Sequence, residues 1–387
     1  MVYELPALDG SDHAVLGAID GLAKELRHYL VHPRRWFGTL RRATVARAVQ
    51  GSNTIEGYHA SVEDVAAVLE DEEPMDADSE TRHAIAGYRD AMTYVLQLAS
   101  DPPKVSDALV KSLHFMMMKY DLSKHPGSWR PGPVWIESAT GAVVYEAPDR
   151  EELDGLVGDA LDQINDDRGP VMVRAAMAHL NLTLIHPFSD GNGRMARCLQ
   201  TFVLASGGIV APEFASIEEY LGRNTEQYYD ALTDVAAGRW SPERSALPWV
   251  RFCLTAHHRQ AQTLLRRVRE TEALWDYCDQ LATAHAVPGR CVEALCHAAR
   301  GWRLRRSLYV KLVKSSTGQE INDATATRDL RAMVETGLLS TVGERRARVY
   351  EPTAALRTSW TATRLPRGTA DDPYELVARQ PQLPGLA

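Results

Sequence analysis

The chain has 387 residues, enough for two or three units that each bury a core, and its 45% hydrophobic and 24% charged residues exclude fibrous, collagen-like and highly charged unfolded classes. The formal net charge of -8 is uneven: residues 301–350 hold ten Lys or Arg against five Asp or Glu, so that segment alone is basic. The N-terminus MVYELPALDG lacks a secretory pattern, the longest nearly apolar run (Val171 to Ile185) is broken by Arg174, His179 and Asn181, and five cysteines show no CxxC spacing, so a cytoplasmic chain with no membrane span and reduced thiols is expected.

Apolar residues recur three and four apart over Ala14 to Leu30, Thr39 to Val49, Ser79 to Ala99, Ser106 to Met118, Glu151 to Ile164, Val171 to Ile185 and Gly193 to Ala205, predicting a mainly α body. Arg130 to Pro148 breaks the pattern. Val134-Trp135-Ile136 and Val143-Val144-Tyr145 flank Ser-Ala-Thr-Gly, which predicts a β-hairpin and, on a helical body, a docking edge. More helices follow from Ser216 to His285, where the long charged stretch Ala256 to Asp276 predicts a connector ending near Val287-Pro288-Gly289. Beyond it, helical segments at Cys291 to Ala299, Ser307 to Val313 and Ala324 to Thr336 precede Leu338 to Val342, a basic turn at Gly343 and Arg348 to Tyr350, the order of a winged helix-turn-helix. Four prolines (Pro366, Pro373, Pro381, Pro384) predict a loosely packed tail.

Residues 186–197 carry the chemistry: His-Pro-Phe-Ser-Asp-Gly-Asn-Gly-Arg-Met-Ala-Arg, set between two helical segments. Pro187 disfavours helix at His186 and lacks an N–H, so the upstream helix should end there and leave the imidazole at the start of an exposed loop. Gly191 and Gly193 allow a tight turn, and the next helix starts with unpaired amides and the positive end of its dipole, an anion cradle. Arg194 and Arg197 lie three apart, where both can offer planar forks to phosphate, and Asp190 at the lip can hold a divalent ion bridging phosphates.

This stretch resembles the HPFx(D/E)GNGRxxR signature of the Fic (filamentation induced by cAMP) family at every defined position. The resemblance implies a Fic-fold helical bundle with a β-hairpin flap, and ATP with Mg2+ used to transfer AMP to a Tyr, Thr or Ser hydroxyl of a target protein. It implies that His186 is the general base, Asp190 the Mg2+ ligand, and Gly191, Asn192 and Gly193 the phosphate cradle. Arg194 would neutralise pyrophosphate, Arg197 would hold the γ-phosphate, and Phe188 would anchor the loop. Ser52-Asn53-Thr54-Ile55-Glu56-Gly57 resembles the family's (S/T)xxxE(G/N) inhibitory motif, which implies that Glu56 pairs with Arg197 in place of the γ-phosphate, with Ser52 and Gly57 completing the motif. The hairpin residues Val134, Trp135, Ile136, Val144 and Tyr145 lie where the family's target-docking flap belongs.

The expected organisation is an N-terminal helical region with the inhibitory motif (1–100), a Fic catalytic core (101–255), a helical connector (256–288), a winged helix domain (289–355) and a tail (356–387). In the winged helix, Arg328, Arg331, Arg345, Arg346 and Arg348 are placed to meet phosphates, so DNA is a candidate partner, as is a second copy of the chain in a homodimer. The rival to an autoinhibited adenylyltransferase is a DNA-binding regulator whose Fic core senses nucleotide; removal of AMP at the same site is a further alternative.

Overall fold

The computed structural model describes residues 1–30, 34–137, 140–208, 214–344, 348–366 and 371–379. Its helices begin with α1 (Gly10–Leu30), α2 (Phe37–Ile55), α3 (Val62–Leu69), α4 (Ser79–Leu98) and α5 (Asp107–Met118). A hairpin follows, β1 (Trp135–Glu137) and β2 (Val143–Glu146), and then α6 (Leu153–Asn165), α7 (Val171–Ile185), α8 (Asn192–Ser206), α9 (Glu218–Arg223), α10 (Thr225–Ala236) and α11 (Leu247–Ala284). The C-terminal part has α12 (Val292–Ala299), α13 (Arg306–Thr317), α14 (Asp323–Glu335), the hairpin β3 (Leu339–Val342) and β4 (Val349–Pro352), α15 (Ala354–Thr363) and α16 (Pro373–Arg379). Starts are written in the caps: Ser61, Asp78, Ser106, Asn322 and Thr353 each accept a first-turn amide through the side chain. Among the described residues, no helix is long and apolar enough to cross a membrane.

The body is organised around α7. Thirteen of its fifteen residues are buried, and a helix without a polar face belongs at a centre. Helices α6, α8 and α11 pack around it, and Trp249 of α11 donates its indole N–H to the Ala176 carbonyl at 2.7 Å. Helix α2 lies against α9 almost backbone to backbone, because a Cβ on Gly51 or Gly222 would run into the opposite chain. That contact sets how the C-terminal end of α2 meets the body.

A second core gathers Leu264, Leu274 and Cys278 of α11 with Leu295, Tyr309, Leu330, Met333 and Leu356. Helix α11, 38 residues and about 57 Å long at 1.5 Å per residue, therefore runs through both cores. The expected connector is not a separate segment: Trp249, Val250 and Cys253 of the same helix belong to the first core, and Leu26, Trp36 and Leu40 from the N-terminal helices enter the second. The tail also differs from expectation. Leu356 and Ser359 of α15 are fully buried, and Tyr374 of α16 donates its hydroxyl to Asp12 at 3.0 Å. The proline count is a poor guide here because Pro373 opens a helix, where its missing N–H costs nothing. Pro381, Pro384, Arg345 and Arg346, and part of the turn joining β1 to β2, lie outside the described residues.

Ion pairs join the C-terminal unit to the body, while Arg328, Arg331 and Arg348 stay exposed. Arg303 pairs with Glu63 at 2.9 Å and Asp76 at 3.1 Å, Lys311 with Glu72 at 3.0 Å, and Arg42 of α2 with the buried Glu293. At the joint of α9 and α11, the Glu219 carboxylate receives both arms of Arg267 and, at 2.8 Å, Arg223. Burial works to raise its pKa, but the Arg267 fork, with Arg223 and Arg47 nearby, holds it down to about 2. A carboxylate depressed on folding contributes stability above its unfolded value and loses it as pH falls towards the folded one. Resistance to urea unfolding should therefore weaken as pH falls from about 5 to about 2, and Glu219→Gln should flatten this slope while costing about 3 kcal/mol at pH 7; an unchanged slope would contradict the pairing.

Candidate active site

Helix α7 ends at His186, which takes a left-handed conformation (φ 52°) and is followed by Pro187. The loop that follows is not exposed as the sequence suggested; of residues 187–191 only Ser189 faces solvent fully. Three groups pull it inward. Phe188 is completely buried and stacks on the His114 ring at 3.7 Å and against Trp129 at 4.8 Å. Arg130, also fully buried, donates to the carbonyl of His186 at 3.0 Å, while its own amide donates to that of Pro187 at 2.8 Å. His114 Nε2 lies 2.9 Å from the Asp190 carbonyl and its Nδ1 accepts the Gly127 amide at 2.9 Å, which fixes the ring as the Nε2–H tautomer. Burial pushes His114 down to about 4, so it stays neutral.

The Asn192 side chain clasps the loop from the other end, accepting the Phe188 amide and donating to the Phe188 carbonyl, both at 2.8 Å. Its side chain is thus a brace, and only its backbone is left for an anion. Gly191 has φ 76°, and a Cβ there would press on Met118 at 3.0 Å. Helix α8 starts immediately after, and its first amides have no intrahelical acceptor.

The two arginines of α8 part company. Arg197 has no exposed side-chain surface. Its Nε donates to Ser52 Oγ at 2.8 Å, and one terminal nitrogen donates to the Ser52 carbonyl at 3.0 Å and to Glu56 Oε1 at 2.6 Å. Burial opposes its charge, but the Glu56 carboxylate more than restores it, so its pKa is raised. Arg194, 1% exposed, turns instead to Met118, Tyr120 and the Tyr58 ring, and its Nε and one terminal nitrogen have no hydrogen-bond partner. A buried guanidinium with no carboxylate bonded to it and two idle nitrogens is a costly arrangement that an anion would relieve.

Glu56 is delivered by the end of α2. It is the C-cap residue, Gly57 follows at φ 84°, and the Tyr58 amide closes back on the Asn53 carbonyl at 3.0 Å. Its carboxylate lies directly over Gly193, where a Cβ would collide with Oε1. Glycine at 193 therefore makes room for whichever group occupies that spot.

His186 Nδ1 lies 3.2 Å from the Thr183 carbonyl, which can only accept, so the hydrogen sits on Nδ1 and Nε2 is the basic nitrogen. Burial pushes its pKa below the usual histidine value. The ring lines an open cleft of about 430 Å3 together with Glu56, Arg197, Trp135, Ile136 and Tyr229. On the hairpin, Trp135 pairs with Glu146 and Ile136 with Tyr145, with an irregularity before Glu137. Trp135, Ile136 and Val144 are exposed and Val134 half-buried, whereas Tyr145 lines the cleft but is 5% exposed and donates its hydroxyl to the Leu184 carbonyl at 2.6 Å. The β2 side is closed by backbone bonds from Glu146 to Gly238 and from Trp240 to Glu146, so the β1 edge is the one left unpaired among the described residues.

Asp190 is the one carboxylate of the loop. Its Oδ1 accepts the Gly191 amide at 2.6 Å and its Oδ2 stands 3.4 Å from Lys124 Nζ. No cluster of three or more His, Cys, Asp or Glu side chains suited to a metal is present among the described residues. A lone carboxylate fits Mg2+, which binds through one or two carboxylates while substrate phosphates and water complete the shell. Sequence reasoning missed His114, Arg130 and Tyr228, whose hydroxyl lies 3.5 Å from Arg197 and 3.0 Å from His179. They come from three distant segments, and no spacing links them to the loop.

Residues 104–204 match the Fic/DOC family. The protein adenylyltransferase fic-1 of Caenorhabditis briggsae is 27% identical over 224 residues, 56% of this chain and 43% of that protein, and the protein adenylyltransferase Fic of Culex quinquefasciatus is 30% identical over 205 residues, 51% and 37%. The chain thus spans less than half the length of these relatives. A crystal structure of a Fic family protein from Desulfovibrio desulfuricans superposes with a TM-score of 0.58 at 20% identity, covering 91% of this chain and 99% of that one. Residues 134–508 of Fic-1 from Caenorhabditis elegans give 0.54 at 22%, covering 66% and 72%, so the shared architecture is that of the fold. The segment that builds the buried loop, the two arginines and the hairpin is a Fic domain.

Proposed function

We propose that this chain transfers AMP from ATP to a hydroxyl side chain of a target protein, and that Glu56 restrains it by occupying Arg197. The observation that carries this reading is the contrast within α8: Arg197 fully engaged by Ser52 and Glu56, Arg194 buried with two idle donors. One half of a polyphosphate site is filled by a carboxylate of the chain itself, and the other half waits for an anion. The curated relatives named as protein adenylyltransferases support the reaction class.

In this reading the α- and β-phosphates lie over the first amides of α8, Arg194 meets the leaving pyrophosphate, and Arg197, once released, holds the γ-phosphate. The target hydroxyl oxygen forms the new bond to the α-phosphorus, the bond to the pyrophosphate oxygen breaks, and His186 Nε2 takes the hydroxyl proton. Asp190 would hold Mg2+, which neutralises phosphate charge when bound. The β1 edge, with Trp135 and Ile136 beside the cleft, would register an extended target segment.

The unit from 289 to 355 has the element order read as a winged helix; Arg303 and Lys311 pair with Glu63, Asp76 and Glu72, which supports a module docked on the body, while Arg328, Arg331 and Arg348 remain exposed for a phosphate partner. The acceptor residue, a homodimer and AMP removal rest on the family resemblance alone.

With α-labelled ATP, Glu56→Gly should raise transfer of label to the chain or a partner by at least about tenfold over wild type; equal, undetectable labelling with well-bound ATP would count against the reaction. His186→Ala should bind ATP normally and lose about 10²-fold or more of the transfer seen in the Glu56→Gly background. Because the folded His186 pKa is lowered, the base is already unprotonated at neutral pH, so the rate in that background should be level from pH 7 to 8 and decline only on the acid side of the ordinary histidine value. A decline beginning above pH 7 would remove the base assignment.

A further inference from the structure

Away from the cleft, a second, smaller concavity lies where the body meets the C-terminal unit, and its lining is dominated by arginine. Arg47 comes from α2, Arg223 from α9, Arg266 and Arg267 from α11, Arg300 follows α12 and Arg364 follows α15. Four of these have carboxylate partners: Arg223 and Arg267 share Glu219, and Arg266 and Arg364 meet Glu270 at 2.6 and 3.5 Å. The other two do not. Arg47 makes no hydrogen bond or ion pair among the described residues, and burial with Arg267 nearby pulls its pKa down to about 10. Arg300 donates only to the Cys296 carbonyl at 3.0 Å and Thr271 Oγ1 at 3.3 Å, and burial lowers its pKa as well. The Trp360 ring, between Arg300 at 5.3 Å and Arg364 at 5.0 Å, forms an aromatic wall.

Guanidiniums repel one another, and holding two of them in a half-buried hollow with no carboxylate bonded to either is unfavourable, because the nearby Glu219 and Glu270 are already taken by Arg223, Arg267, Arg266 and Arg364. Five separate elements would not be expected to converge arginines on one hollow for packing alone. Planar forks arriving from several directions match the oxygens of linked phosphates better than a single carboxylate. We propose that this pocket is a binding site for a small polyphosphate anion, either inorganic or the phosphate run of a nucleotide, held by Arg47 and Arg300 with Arg364 at its mouth. The site is separate from the catalytic loop: it shares no lining residue with the cleft around His186. It also joins α2, which carries Ser52 and Glu56, to α12 and α15, so an anion there would tie the inhibitory helix to the C-terminal unit.

The test uses the full chain carrying Arg194→Ala, which disables the phosphate fork of the catalytic loop, titrated calorimetrically with sodium tripolyphosphate at low salt. One saturable site is expected, with affinity falling as salt rises and with a higher Tm in its presence. Adding Arg47→Met should weaken it at least tenfold with the ligand-free circular dichroism spectrum unchanged; should that variant not fold, Arg364→Gln at the more exposed rim should weaken it about threefold or more. Repeating the titration with ATP distinguishes the two sources: equal affinity identifies the inorganic run as sufficient, and tighter ATP binding that Arg47→Met weakens identifies a nucleotide with its base against Trp360. No saturable binding of either, or binding indifferent to both Arg47 and Arg364, would overturn the proposal. Neither outcome bears on AMP transfer, which depends on the other site.

Discussion

The structure turns on one guanidinium. Arg197 is placed by the second turn of α8 in a position with no access to water, and there it needs oxygen partners on every side. Ser52 supplies two, Glu56 a third, the only charged one among the described residues, and Tyr228 a fourth at 3.5 Å. A buried charge pair of this kind is worth little as net stability but a great deal as exclusivity, because any other anion must first evict Glu56 and leave no donor idle. The geometry of α2 follows from this requirement. Its glycine contact with α9 fixes its approach, its left-handed Gly57 ends it at the right residue, and Gly193 leaves the space its carboxylate occupies.

The loop before α8 is held as firmly as the arginine. Phe188 in its aromatic slot, Asn192 across its neck and Arg130 on its carbonyls leave few backbone groups free to move. Preorganisation of this kind is what charge-transfer chemistry needs, since donors already aimed at their targets incur no reorganisation when charge develops. His186 sits at the junction of this rigid loop and the central helix, with its tautomer set by a backbone carbonyl.

The sequence made the loop legible because its residue types are functional at fixed spacing on one short segment, and the same holds for Ser52 and Glu56 four apart at a helix end. Helices were legible where capping and apolar period agree, as in α4 and α5, and α3 was passed over because its eight residues give barely two turns of pattern. What stayed hidden was pairing across distance. Tyr145 reads as one more apolar hairpin residue, and only the Leu184 carbonyl behind it makes it an anchor. Asn192 reads as part of the phosphate cradle, and only the bonds of its side chain to Phe188 show that its backbone amide alone is left for that role. The basic count of 301–350 does not show that Arg303 and Lys311 turn to Glu63 and Glu72 of the body while Arg328 and Arg348 stay exposed. In each case the residue type was plain and the partner was not.

If Arg197 serves either Glu56 or a γ-phosphate but never both, the third phosphate of a nucleotide should be felt only when Glu56 is gone. Calorimetric dissociation constants for ADP and a non-hydrolysable ATP analogue, measured for wild type and Glu56→Gly, test this directly. The account predicts near-equal binding of the two by wild type and at least about tenfold preference for the triphosphate in the variant, the scale of one charge-assisted pair. The same ratio in both proteins would contradict it.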